Sequence, residues 1–307
     1  MSRWTLFLGA GVIVVAASAV AVLTVGPWDL LATNVVSPSV VTKPVSGFYL
    51  DMGASTSLGF QPTGISGHNG KRTSTGYAND LVSFEAKNDV TLALRQIGCP
   101  GETVQRILGQ LKDACYTLPN TQLLVAQGFL RANENHIGLV TIDLGFNNIR
   151  PCMLVAIFDP SCAKEGIGYV QEYLPTILRK LQAAAGPNVH FVGLEYADPF
   201  LADYLIGAQG RANASETLTA FSHLNTVLGA IYHSIGIKVA AVAQAYESSN
   251  VAPSRLKGVG LVPTNVAEAC SLTWQCTGTP FGPDDHPNNA GYQVIARAIE
   301  TQLPRKW

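Results

Sequence analysis

Charge is scarce in this sequence: of 307 residues only 13% are Asp, Glu, Lys or Arg, and the formal net charge is −1. Neither half carries a basic run, so nothing in the composition points to nucleic acid or to an anionic membrane surface as a partner. Close metal-ligand spacing is also missing. There is no C-x-x-C pair, and His68, His136, His190, His223 and His233 are scattered without ligand spacing, which argues against a zinc site. Internal repeats and low-complexity blocks are absent too, so a single domain is the simplest organisation. Apolar residues make up 47% of the chain, ample for a large core without help from disulfides.

What is present begins with a long hydrophobic segment. Trp4 to Gly26 carries no charge, Leu6 to Val25 is almost wholly apolar, and Arg3 stands just ahead of it. This segment is long enough to span a bilayer, and the single positive charge favours an N-terminus left inside. Two readings compete: a cleaved signal peptide with small residues around Ala16 to Ala19, or an uncleaved anchor, which the length of the run favours. Either way the remainder is exported, secreted or held at the cell envelope. All six cysteines, Cys99, Cys115, Cys152, Cys162, Cys270 and Cys276, lie in that remainder. An even count in an exported chain points to disulfides, and the grouping into three close couples favours 99–115, 152–162 and 270–276.

Residues 27–45 show neither helical nor alternating period and read as a tether. From 46 to 307 apolar, strand-like runs alternate with helical patterns. The strand candidates are Gly47 to Met52, Val90 to Ile97, Ile137 to Asp143, Val189 to Tyr196 and Ile237 to Val242. Helix faces are marked by Val104, Ile107, Leu108 and Leu111, by Leu218, Phe221, Leu224, Leu228 and Ile231, and by Tyr292, Ile295, Ala296, Ile299 and Leu303. Such alternation means βαβ units with right-handed crossovers, and a mostly parallel five-stranded sheet covered on both faces. Ligands of these sheets bind beyond the carboxyl ends of the strands, so polar or Gly-rich motifs there carry functional weight.

Three motifs follow strands directly: Gly53-Ala54-Ser55, Gly98-Cys99-Pro100-Gly101, and Gly145-Phe146-Asn147-Asn148. A fourth, Asp284-Asp285-His286-Pro287-Asn288, precedes the last helix. Singly each has a structural reading, since a Ser after Gly is usually a turn or cap residue, and Gly101, Asn147 and His286 also suit turns and caps. Together they form a chemical set. A hydroxyl needs a base to become a nucleophile, and a developing oxyanion needs preorganised donors. Ser55, His286, the N–H groups of Ser55 and Gly101, and the Asn147 amide supply both. Asp51 and Asp143 near strand ends, and Asp80 on a surface helix, read as structural. Asp198 reads as a turn residue before Pro199, with a place in the substrate pocket as the rival. Asn213-Ala214-Ser215 is a glycosylation sequon.

In order and spacing, the four blocks resemble those of the SGNH hydrolases, also called GDSL esterases and lipases. Tyr196-Ala197-Asp198-Pro199-Phe200 and the cysteine couples resemble secreted actinobacterial members in particular. The resemblance runs from about Gly47 to the C-terminus. It implies a flavodoxin-like three-layer α/β/α sandwich, with Ser55 as nucleophile, His286 as base, and Ser55, Gly101 and Asn147 around the oxyanion. Three positions depart from the pattern. Ala54 replaces the Asp before the nucleophile, Asn148 replaces the Asp after the oxyanion Asn, and Pro283 replaces the Asp three residues before the His.

The last departure leaves Asp284, Asp285 or a backbone carbonyl to orient the imidazole. His286 precedes Pro287, which pushes it toward an extended form, where residues two apart share a face. That favours Asp284 and turns Asp285 away. The expected activity is hydrolysis of a small-molecule or lipid ester by a monomer, with no metal or organic cofactor. The rivals are a non-catalytic envelope protein that kept the fold and an O-deacetylase acting on cell-wall or glycan esters.

Overall fold

In the computed structural model, residues 47–64, 70–153 and 157–304 are described. The hydrophobic leader, the tether and His68 lie outside them. Lys43–Trp307 forms one compact unit that contains the whole described chain. Among the described residues no helix is long and apolar enough to cross a membrane.

Five strands form the central sheet: β1 (Gly47–Gly53), β2 (Leu92–Gln96), β3 (Ile137–Asp143), β4 (His190–Leu194) and β5 (Lys238–Ala240). Their order is β2-β1-β3-β4-β5, and every neighbouring pair is parallel. The helices in chain order are α1 (Tyr77–Lys87), α2 (Val104–Ile107), α3 (Gln122–Ala132), α4 (Phe146–Ile149), α5 (Pro160–Ala185), α6 (Gly207–Ser234), α7 (Val242–Ala245), α8 (Thr264–Leu272) and α9 (Asn289–Glu300). The chain runs outward in one direction from β1 to β2, then returns past β1 to build β3, β4 and β5 on the other side. That reversal makes the β1–β3 boundary the switch point where a crevice opens beyond the strand ends.

The sheet separates two apolar layers because strand side chains alternate in direction. Leu50 and Met52 of β1 and Val140 and Ile142 of β3 pack with Leu130 of α3, Leu174 and Leu178 of α5 and Leu224 of α6. Tyr49 and Leu139 face the other way, with Leu81 of α1 and Tyr292, Ile295 and Ile299 of α9. These side chains are almost fully buried, and each large apolar one removed from water contributes about 1.5–3 kcal/mol.

Several local expectations need correction. The face from Val104 to Leu111 predicts a longer helix than α2, which stops at Ile107. Gly109 adopts φ +76, Leu111 is exposed, and the chain turns back so that Cys115 reaches Cys99. Three of the predicted strands are also shorter. At the end of β4, the Tyr196 N–H and C=O are taken by the Asn225 amide, which ends the ladder. Beyond β5, Ala241 caps α7. A β-hairpin that the periodicity did not reveal, β6 (Pro253–Leu256) with β7 (Gly260–Pro263), is antiparallel and packs Val262 and Leu256 near Leu201 and Val266. Asn213 of the sequon is nearly buried inside α6 and so is not presented to solvent.

All six cysteines are paired, as Cys99–Cys115, Cys152–Cys162 and Cys270–Cys276. The first ties the segment after β2 to its following loop, the second fastens the start of α5, and the third closes the segment after α8.

Candidate active site

Ser55 stands two residues past the end of β1, where the backbone must turn sharply. Gly53 makes this possible. Its φ is +138, and a Cβ on it would lie 2.1 Å from the Asp143 carbonyl oxygen, so no other residue fits between β1 and β3 there. The turn is braced from β3: the Ala54 N–H donates to the Asp143 carbonyl at 3.1 Å, and the Ser57 N–H donates to Asp143 Oδ2 at 3.1 Å. Tyr196 donates to the other carboxylate oxygen at 2.8 Å. Burial pushes the Asp143 carboxyl above its ordinary value, against the opposing pull of Tyr196 and these backbone donors. The Ser57 hydroxyl, the nearest competitor to Ser55, is buried and donates to the Ala54 carbonyl at 2.7 Å.

His286 approaches from a loop. Its Nε2 lies 2.8 Å from Ser55 Oγ, and its Nδ1 lies 2.8 Å from Asp284 Oδ1. The same Asp284 oxygen accepts the His286 backbone N–H at 2.9 Å, so one carboxylate fixes both main chain and ring. Burial of Asp284 raises its pKa, but the hydrogen bond and charge of His286 outweigh this and hold the carboxyl below its usual value. Asp285 turns instead to Arg150, whose Nε and Nη2 both donate to it, and its Oδ1 stays 3.7 Å from His286 Nδ1. Phe60 packs against the imidazole with ring centroids 5.4 Å apart.

The donor side comes from two further segments. Gly101, with φ +77, follows β2, and Asn147 lies on α4 just past β3. Ser55, Gly101 and Asn147 line one cleft together with Asp284, Asp285 and His286. Among the described residues neither the Ser55 nor the Gly101 N–H is bonded to a backbone or side-chain acceptor. Asn147 Nδ2 donates to the Glu102 carbonyl at 3.1 Å, which points its amide across the gap toward the Gly101 segment. Asn148 bridges the same gap from its other side: its Oδ1 accepts the Val104 N–H at 3.3 Å and its Nδ2 donates to Gln105 at 2.7 Å. An amide therefore suits this position, since it must both accept and donate.

The cleft encloses about 250 Å³, and much of its wall is apolar, with Phe60, Phe146, Leu194, Val242 and Ile295 among the lining residues. Asp198 does not line it. Its carboxylate accepts the Phe200 N–H at 2.8 Å and caps the 3-10 segment Pro199–Ile206, the turn role expected of it. Asp51 is fully buried behind the site, bonded to Tyr77, Thr141 and Gln96, and burial pushes its carboxyl up to about 8. None of the described residues His136, His190, His223 and His233 lines the cleft.

Neither a protein-family model nor a curated protein matches the sequence. Solved structures do match the fold. The extracellular lipase of Streptomyces rimosus superposes with TM-score 0.55 over 84% of this chain and 100% of its own, at 17% identity. Phospholipase A1 of Streptomyces albidoflavus gives 0.53 over 84% and 100%, at 16% identity. A protein of Parabacteroides merdae described as a GDSL-like lipase gives 0.50 over 85% and 97%, at 15% identity.

The fold is that of the SGNH hydrolases.

Sequence reasoning did not find everything that shapes the site in this SGNH fold. Asp143, read as structural, is so: it braces the turn that carries Ser55. Arg150, which holds Asp285, and the buried pair Glu102 and Gln122 carry no role legible in the sequence, although Glu102 directly follows the Gly101 block, because a polar side chain gives no sequence signal of its burial or partner. The Arg directly before a Pro, after the Asn147 block, was the one available hint for Arg150.

Proposed function

We propose that this chain is an exported serine carboxylic ester hydrolase working through an acyl-enzyme on Ser55. The observation that carries this reading is the hydrogen-bonded array Asp284–His286–Ser55, with 2.8 Å at both ring nitrogens, opening into a partly apolar cleft. As Ser55 Oγ attacks an acyl carbonyl, His286 Nε2 takes its proton, and Asp284 holds the ring and steadies the imidazolium. The carbonyl oxygen gathers charge against the N–H groups of Ser55 and Gly101 and the Asn147 amide. His286 then protonates the leaving alcohol, and water, deprotonated by the same ring, releases the acid. The apolar wall suits the acyl chain. Export is supported by the charge-free leader and by six cysteines that are all paired.

Hydrolysis of p-nitrophenyl esters from acetate to palmitate tests the proposal and measures the acyl preference. Wild-type protein should cleave at least the shorter members, and Ser55→Ala should reduce the rate to background. A Ser55→Ala variant as active as wild type would defeat it.

A further inference from the structure

The three donor segments come from different places in the chain, yet they must agree in position to within a fraction of an ångström if they are to hold one oxyanion. Beneath them lies a buried polar linkage that touches all three. Gln122, at the first turn of α3, is fully buried. Its Oε1 accepts the Gly53 N–H at 2.9 Å and its Nε2 donates to the Gly53 carbonyl at 2.9 Å, so one side-chain amide grips both backbone groups two residues before Ser55. The same Nε2 donates to Glu102 Oε2 at 3.0 Å. Glu102 directly follows Gly101, is itself 1% exposed, and offers its backbone carbonyl to Asn147 Nδ2.

We propose that Gln122 and Glu102 form a positioning clamp that sets the spacing between the Ser55, Gly101 and Asn147 donors, and that Gln122 is its central residue. This rests on the hydrolase reading above. Neither residue lines the cleft, so neither touches substrate; their effect passes through the backbone they hold. The charge state fits. Burial first, and then the hydrogen bond to and the charge of Asp113, push the Glu102 carboxyl up to about 9. At neutral pH Glu102 therefore keeps its proton. Asp113, the neighbour whose hydrogen bond and charge raise the Glu102 pKa, has a buried Oδ2 with no other partner among the described residues, open to accept that proton. A neutral carboxyl inside this network avoids the cost of an unpaired buried charge. It also makes Gln an isosteric replacement for Glu102, able to accept from Gln122 and donate to Asp113.

The test uses the full chain and p-nitrophenyl butyrate. Gln122→Ala and Glu102→Ala should each lower kcat roughly tenfold to a hundredfold with KM within about twofold of wild type, because misplaced oxyanion donors act on the transition state. The double variant should fall no further than the slower single one, as expected of one shared linkage. Glu102→Gln should stay within about threefold of wild type because its amide oxygen still accepts from Gln122, and only the Thr103 N–H contact to the other carboxyl oxygen, 3.2 Å, is given up. The Glu102 variants carry the test even if a Gln122 variant fails to fold. A folded Gln122→Ala that keeps kcat, changes in KM alone, or a Glu102→Gln as slow as Glu102→Ala would each overturn the clamp. A wild type inert to every ester and to a fluorophosphonate would overturn the hydrolase reading, and the clamp with it.

Discussion

Ser55 and His286 meet at 2.8 Å, but the two sides of that contact are held by different means. Ser55 lies in the turn just past β1, a central strand flanked by β2 and β3, and that turn is fixed by buried bonds from Asp143 and Gln122. His286 sits between α8 and α9 in a loop without regular structure. That loop is held by a short zipper. Trp274 donates its N–H to the His286 carbonyl, the Asp284 N–H donates to the Trp274 carbonyl, and Thr273 bridges Pro287. Cys270–Cys276 closes the strand-like stretch against which the loop lies, and Asn288 caps α9 immediately after it. The Ser55 side is thus preorganised by the sheet, with Gly53, Ala54 and Ser57 buried around a partly exposed Ser55. The His286 side is a loop that is only partly buried, with 15% of the His286 side chain and 22% of Asp284 exposed, and it depends on one carboxylate to set its ring.

Substitutions on the two sides should separate that difference. On the nucleophile side the largest loss away from Ser55 itself is expected at Asn147. Asn147→Ala should reduce kcat by about 10²–10³ while changing KM little, since removing one oxyanion donor typically costs that much. Steady-state kinetics on the best p-nitrophenyl ester decides it, and an effect mainly in KM would make Asn147 a substrate-binding residue instead. On the base side Asp284→Asn should cut kcat/KM at neutral pH by roughly tenfold or more, because the Nδ1 acceptor and the charge facing the imidazolium go together. Asp285→Asn should do much less, its partner being Arg150. Near-normal rates in both single variants and in the double variant would reduce the site to a Ser55–His286 dyad.

The same contrast explains how much of the molecule could be read from its sequence. The first three strands of the sheet were legible as apolar runs closely followed by Gly and polar residues, as in Gly47–Gly53 and Ile137–Asp143, and β4 and β5 by their apolar runs alone. Three of the motifs that line the cleft follow such runs, and that position, together with the chemical set they form with His286, singled out Ser55, Gly101 and Asn147. Asp284 could be preferred over Asp285 because Pro287 imposes an extended backbone on His286, and in the structure Asp284 is the carboxylate at Nδ1. The failures have local and long-range causes. The periodicity of Val104, Ile107, Leu108 and Leu111 promised a helix, but Gly109 and the Cys99–Cys115 bond redirected the chain. The β6–β7 hairpin escaped notice because its strands have four residues each and carry Pro, Gly and charge. The roles of Gln122 and Glu102, and what Asp143 braces, are not legible because they depend on burial and on partners far along the chain, up to 89 residues away for Ala54 and Asp143. Tertiary packing decides such things, and periodicity carries no record of them.

The central claim is that Ser55 is a nucleophile activated by His286, and covalent labelling tests it without assuming any substrate. A fluorophosphonate probe incubated with the purified protein, followed by peptide mapping, should modify Ser55 alone. Labelling should be lost in Ser55→Ala and strongly slowed in His286→Ala. Labelling that persists in Ser55→Ala but disappears in Ser57→Ala, or wild-type protein that takes up no label, would contradict the account.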